Sequence, residues 1–300
     1  VWVIAKGLHN GIERMSKIML PALFGVILIL VIYGMISADF SSAVEFLFRP
    51  DFSELTGASV LMALGQALFS LGIGVGLLIT YAAYMPSEYS IQRSATIVCI
   101  FDTSAALLSG LAIFPLVFAN NLNPAEGPGL VFQTLPIAFG NMPGGHVIGV
   151  LFFLLLFFAA YTTAIGMLEP VVAWLEEKWP GRRRILARWA GISIWLLGLG
   201  SVFSFNIFAE VSPLGFLGIE GTFFFLLDFT VANLLLPINA LLIAVFAGWV
   251  VNRCTITQEF SSTTELWPQF WRFANRYVAP IAISIVLLDL LTGFSANFPA

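Results

Sequence analysis

Seven apolar stretches recur along this chain, each close to the roughly 20 residues that a helix needs to cross a bilayer. They run Ile18–Ala38, Val60–Tyr84, Ser94–Phe118, Val147–Leu175, Trp189–Ile207, Phe223–Val251 and Tyr277–Phe294. None shows the alternation over about ten residues that marks an outer-membrane barrel strand, and Gly and Pro are scattered through them as membrane helices tolerate. The predicted fold class is therefore an all-α, polytopic helical membrane protein forming a single transmembrane domain over residues 1–300. Only 10% of the residues are charged and 59% are hydrophobic. Soluble domains carry about a quarter charged residues, so a soluble globular domain is excluded.

Lys and Arg concentrate on the cytoplasmic side of membrane proteins. Threading seven spans from a cytoplasmic start places every Lys and Arg except Arg49 on one face. A wrong span count would scramble that bias, so the asymmetry supports both topology and count. The run Arg182, Arg183, Arg184 then reads as a positive-inside loop and not as a nucleic-acid patch. Cys99 and Cys254 form no spacing motif, and neither a disulfide nor a metal site follows from them. The chain opens on Val1-Trp2-Val3-Ile4-Ala5 without Met, which reads as the end of a preceding helix in a truncated protein.

Polar and glycine-rich interruptions of the spans are the candidate functional features. Gly72, Gly74 and Gly76 recur with a period of two, which cannot form one stripe on a helix. Two readings stay open: unwinding near Ser70–Gly76, as at transporter binding sites, or close helix packing through small residues. Acids inside a membrane usually mark ion or substrate paths, and three occur here. Asp102 lies deep in the third span beside Thr103 and Ser104; Glu169 precedes Pro170, where bonding of freed backbone is the preferred role; Asp228 sits within two turns of a span's start, where a headgroup-level position is the bland alternative. Thr162 and Thr163 follow Ala159 in the fourth span. Their hydroxyls either bond their own i−4 carbonyls or serve as oxygen ligands for a hard cation, and the residues alone favour the first. With His9 and His146 as the only histidines and no hydrolase or phosphate-binding motif, no enzyme is expected.

Several segments together resemble bacterial members of the neurotransmitter:sodium symporter family, which have the leucine-transporter fold. They are Lys6-Gly7-Leu8-His9-Asn10-Gly11-Ile12-Glu13-Arg14 with Met19-Leu20-Pro21, Gly65-Gln66-Ala67-Leu68-Phe69-Ser70-Leu71, Gly127-Pro128-Gly129-Leu130 with Thr134-Leu135-Pro136, Met142-Pro143-Gly144-Gly145, and Phe157-Phe158-Ala159-Ala160-Tyr161-Thr162-Thr163. The resemblance covers nearly the whole chain in the family's order. It implies a fragment running from the end of helix four to helix eleven, with the second inverted repeat, a broken sixth helix at Val60–Tyr84 and an extracellular gating loop over residues 120–146.

What the resemblance implies about function is sodium-coupled import of amino acids by alternating access, at the cell inner membrane or plasma membrane. Sodium would be the co-transported ion, with no organic cofactor; the partners would be an amino-acid substrate, sodium ions and the lipid bilayer, and no nucleic acid. Ser70 and Asp102 fall at the family's first sodium site, and Ala159, Thr162 and Thr163 at the second. Phe69, Ser70, Gly72, Val75, Thr163 and Met167 would line the substrate pocket, and Asp228 matches the acidic half of the outer gate. Gly72 and Val75 sit where some relatives have larger or hydroxylated residues, and Thr163 replaces a commoner serine; because Gly72 offers no side chain while Val75 and Met167 present apolar surface, a sizeable apolar amino acid is expected. Animal members resemble the chain but carry asparagine where Asp102 lies and serine where Ala106 lies, and they need chloride, so chloride independence is expected here. A proton-coupled carrier of the same fold, with Asp102 titrating, is the alternative.

Overall fold

A computed structural model of the chain describes residues 1–52, 55, 57–86, 88–122, 124, 129–215, 221–260 and 266–292. Among them five continuous helices are long and apolar enough to cross a bilayer: Gly11–Ser37, Ile91–Ala119, Gly145–Lys178, Arg183–Phe203 and Phe223–Val250. The second expected stretch, Val60–Tyr84, is broken into two helices, Gly57–Ser70 and Leu77–Ala83. The seventh, Tyr277–Phe294, contains a helix ending at Thr292, and the remainder lies outside the described residues, as do Gly127 and Pro128 of the expected gating loop.

After a one-turn helix at Trp2–Ala5, the helices in chain order are α1 (Arg14–Ser37), α2 (Phe40–Phe48), α3 (Gly57–Ser70), α4 (Leu77–Ala83), α5 (Ile91–Ala119), α6 (Leu135–Asn141) and α7 (Gly145–Lys178). They continue as α8 (Arg183–Phe203), α9 (Phe223–Asp228), α10 (Leu236–Val245), α11 (Arg253–Glu259), α12 (Leu266–Phe273) and α13 (Ala279–Thr292). Wide π-helical turns, Phe229–Leu235 and Phe246–Val250, flank α10, and a third, Ala274–Val278, joins α12 to α13. Such turns widen a helix locally and frequently occur at functional sites.

The chain divides into two compact units, each described on its own. The first comprises residues 1–54 and 99–166. Its core draws Leu30 from α1, Leu116 and Val117 from α5, Leu135 and Phe139 from α6, and Phe152 from α7. Gly34 of α1 lets that helix close on Pro115 of α5, where a Cβ would already touch the proline ring at 3.4 Å. The Tyr33 hydroxyl, donating to the Pro143 carbonyl at 2.9 Å, ties α1 to the turn before α7. Asp39 caps α2: its carboxylate accepts from the Ser42 amide at 3.1 Å and the Ser42 hydroxyl at 2.6 Å. Those two bonds hold the Asp39 carboxyl below the usual carboxylate range, so the cap is in place at neutral pH and fades only as acid protonates it.

The second unit comprises residues 55–98 and 167–300. Helices α3, α10 and α13 pack on one another at its centre. Ser204, buried at the end of α8, donates to the Gly200 carbonyl at 2.9 Å and accepts from the Phe224 amide at 3.0 Å, satisfying an orphan N–H at the start of α9. Gly200 itself faces the Phe223 ring so closely that any Cβ there would overlap it.

One expectation is corrected in this unit. Glu169 does not serve the backbone freed by Pro170. It is fully buried and receives Nη2 of Arg183 on both carboxylate oxygens, at 2.6 Å each. The other arm of Arg183 reaches Glu176 at 2.8 Å. Glu169 and Glu176 lie seven residues apart and so share one face of α7, which the turn at residues 179–182 brings opposite the first residue of α8.

Candidate functional site

The helix break is a backbone device built by three glycines. Ser70 ends α3, and the chain then unwinds, with φ of +64° at Gly72, +99° at Gly74 and +82° at Gly76. All three angles lie in a region that side-chain-bearing residues seldom adopt. That explains the period of two in the sequence and decides between its readings: the segment is unwound. Gly76 in the left-handed conformation starts α4, and the Thr80 amide and hydroxyl both return to the Gly76 carbonyl at 3.0 Å.

Helix α10 holds the break in place. The Gly74 carbonyl accepts from Asn239 Nδ2 at 2.6 Å, a side-chain donor standing in for the lost helical one. At Gly74 a Cβ would run into the Leu236 carbonyl oxygen, with the Ala240 amide nitrogen at 3.2 Å, so only glycine permits this approach. Sequence reasoning missed Asn239. Its one signal was a lone amide in the apolar run Leu234-Leu235-Leu236-Pro237-Ile238-Asn239-Ala240.

Of the expected substrate residues, the structure gathers Phe69, Ser70, Gly72 and Val75 at this break in the second unit. Met167 belongs to the same unit on α7, one turn beyond Thr163 on the same helix, which lies in the first unit. A Cβ at Gly72 would meet only ordinary contacts, with Leu77 and Val75 at 3.9 Å, so its φ of +64° and not a lack of room is what favours glycine there.

The expected oxygen ligands are placed as follows. Ala159, Thr162 and Thr163 share one face and its flank on α7 in the first unit, and Thr162 Oγ1 donates to the carbonyls of Phe158 at 2.9 Å and Ala159 at 3.0 Å. The hydroxyl proton is thus engaged within the helix, while an oxygen that donates keeps its acceptor capacity. Asp102 stands on α5 in the first unit, half-buried, and its hydroxyl neighbours do not turn toward it: Thr103 donates to the Cys99 carbonyl at 2.9 Å and Ser104 to the Ile100 carbonyl at 2.7 Å. Ala106 follows one turn later on the same helix. Asp228 is exposed at the end of α9, where the π-helical turn Phe229–Leu235 begins.

The model of the sodium:neurotransmitter symporter family matches residues 1–298. A sodium-dependent transporter of Bacillus subtilis, YhdH, is 36% identical over 294 residues, covering 97% of this chain and 64% of that protein. A sodium-dependent transporter of Haemophilus influenzae is 32% identical over 291 residues, covering 96% of the chain and 62% of its own length. The crystal structure of MhsT in complex with L-phenylalanine matches with a TM-score of 0.84 at 37% identity, over 96% of this chain and 64% of MhsT. The chain therefore spans less than two thirds of each of these proteins.

Proposed function

This chain belongs to the sodium:neurotransmitter symporter family, and from that membership we propose that it works in a sodium-coupled symporter that imports amino acids by alternating access without needing chloride. Its fold is the leucine-transporter fold shared with MhsT, and its relatives are transporters, not enzymes. The observation that carries the proposal is the glycine-built break at Leu71–Gly76, clamped by Asn239 onto α10. Inside a bilayer, backbone leaves the helix only where protein or a wet cavity satisfies it, and transporters place substrate and ions at such breaks. MhsT was crystallised with L-phenylalanine, which supports an amino-acid cargo here.

In the proposed mechanism Phe69, Ser70, Gly72, Val75, Thr163 and Met167 contact the amino acid. Ser70 and Asp102 serve one sodium ion; the Ala159 carbonyl with the Thr162 and Thr163 hydroxyls serves a second. Asp228 forms the acidic side of an outer gate, and the protein resides in the cell's inner or plasma membrane. An ion drives its cargo uphill only if both favour the same conformations, so ligands shared between ion and cargo, such as Ser70, are where coupling would arise. Competition of sodium-driven uptake by a panel of amino acids tests the cargo. Phenylalanine and other large apolar amino acids should compete strongest; no competition by any amino acid would refute the cargo class.

Thr162→Val keeps the side chain's shape and removes its oxygen. In the full-length protein the apparent sodium affinity should weaken about tenfold, or about 1.4 kcal/mol, with little change in substrate affinity at saturating sodium. An unchanged sodium dependence would reduce the hydroxyl to the helix-bonding role seen with Phe158.

Uptake should be equal in chloride and in gluconate. A carboxylate a few ångström from sodium supplies roughly 4 kcal/mol at an effective dielectric near 20, which Asp102 would provide without a halide, and Ala106 offers no hydroxyl to an anion. Asp102→Asn combined with Ala106→Ser should make uptake chloride-dependent. Loss of wild-type uptake on chloride withdrawal would overturn this role for Asp102.

A further inference from the structure

A cavity of about 370 Å³ opens in the second unit between α11, α12 and the π-helical turn that follows α12. Arg253, Arg272 and Arg276 all line it, with Thr257, Gln269 and Tyr277 as the other hydrogen-bonding side chains. Among the described residues, no acid lines it. Nε and Nη1 of Arg272 and Nε of Arg276 are buried and make no hydrogen bond among the described residues. Guanidinium groups do not lose their proton in proteins, and leaving a charged donor dry and unpaired is among the costlier defects in a folded chain. Arg272 and Arg276 are four residues apart, so two like charges are held side by side, where they repel unless an anion lies between them.

The geometry also shows that Arg276 is held there by its surroundings. Its guanidinium lies 5.4 Å from the Trp249 ring centroid and 5.6 Å from that of Tyr277. Gly248 lets the two π-helical turns meet backbone to backbone, since a Cβ at that position would sit 2.7 Å from the Arg276 Cα. Trp249, Phe273 and Tyr277 are exposed beside the cavity. Aromatic residues of this kind gather at the level of lipid headgroups, and the three arginines fall on the face that the Lys and Arg distribution assigns to the cytoplasm.

We propose that this cavity binds a phosphate group, carried by an anionic phospholipid of the cytoplasmic leaflet. Arginine forks match phosphate oxygens in pairs, basic pockets between membrane helices on this side hold acidic headgroups, and the volume lies within the range of about 300–1,000 Å³ for ligand sites. The site is separate from the proposed transport residues and does not depend on the cargo.

The test uses detergent-solubilised full-length protein titrated in three arms with dihexanoyl phosphatidylglycerol, dihexanoyl phosphatidylcholine and potassium phosphate, reading Tm and tryptophan fluorescence. Phosphatidylglycerol should raise Tm saturably. Arg272→Gln with Arg276→Gln should move its midpoint about tenfold or more higher, while Arg188→Gln, at a helix surface elsewhere, should not. If potassium phosphate alone protects at the same concentrations, the phosphate site stands and the lipid source falls. Equal effects of phosphatidylcholine and phosphatidylglycerol, or an unchanged midpoint in the double variant, would overturn the site. Should the Gln pair fail to fold, Arg272→Lys with Arg276→Lys keeps the charge and removes the fork. Its midpoint must then rise at least about threefold, and an unchanged one counts against the proposal.

Discussion

Gly74→Ala is expected to reduce sodium-driven uptake to less than about a tenth of wild type, a loss equal to about 1.4 kcal/mol or more, while Gly65→Ala leaves it nearly unchanged. Two independent costs meet at Gly74. Its φ of +99° is strained for any residue with a Cβ, worth roughly 1–3 kcal/mol. The added methyl also runs into the Leu236 carbonyl, which is backbone and cannot swing aside. Either α10 moves off the break or the break rewinds. In both cases the Asn239 bond to the Gly74 carbonyl is stretched, and the segment proposed to hold cargo loses its shape. Gly65, by contrast, sits within α3, where an added methyl would meet Val286 at 3.9 Å, an ordinary contact. Asn239→Ala should have an intermediate effect, since it leaves one carbonyl unpaired at a cost of roughly 1–3 kcal/mol. Uptake by Gly74→Ala equal to that of wild type would contradict the assignment of the break as the functional element.

The second large effect concerns Arg183. Removing it as Arg183→Ala strands the Glu169 carboxylate, whose side chain is 0% exposed, and breaking a buried pair from one side costs roughly 3–5 kcal/mol. The full-length variant should show a markedly lower Tm. Replacing both members, Glu169→Leu with Arg183→Leu, should cost less than Arg183→Ala, because no charge is then left dry. Thermal unfolding of wild type, Glu169→Leu, Arg183→Leu and the double Leu variant closes the cycle and gives the coupling between the two side chains. Additive losses in that cycle would show that the pair is not energetically linked despite its 2.6 Å contacts.

These two sites also show what the residues alone could convey. The break was half legible: φ > 0 is a local demand that glycine answers locally, so a period of two inside an apolar span raised unwinding beside close helix packing, and the backbone angles decide between them. The clamp was not, since Asn239 reaches Gly74 across 165 residues of sequence and nothing near either residue announces the other. Glu169 was legible as an unusual membrane acid. Its partner was not, because Arg183 looked like one more positive-inside charge until the turn at residues 179–182 placed it opposite α7. The hydroxyls illustrate a third case. Thr162 was expected either to bond its own helix or to hold a cation; the bond to Phe158 is present, and the second role is left to the proton-free face of the same oxygen. Similarly, seven spans were readable as apolar stretches, of which five are continuous helices of spanning length among the described residues, while the Val60–Tyr84 stretch carried only its glycines as a sign of its two-part construction.

The most direct measurement of the central claim is uptake of radiolabelled L-phenylalanine into proteoliposomes containing the full-length protein, with an inward sodium gradient and, in parallel, with choline replacing external sodium at constant pH. Concentrative uptake that requires the sodium gradient, and persists when chloride is replaced by gluconate, is the predicted result. Uptake that proceeds equally in choline, or that follows an imposed proton gradient in the absence of sodium, would contradict it.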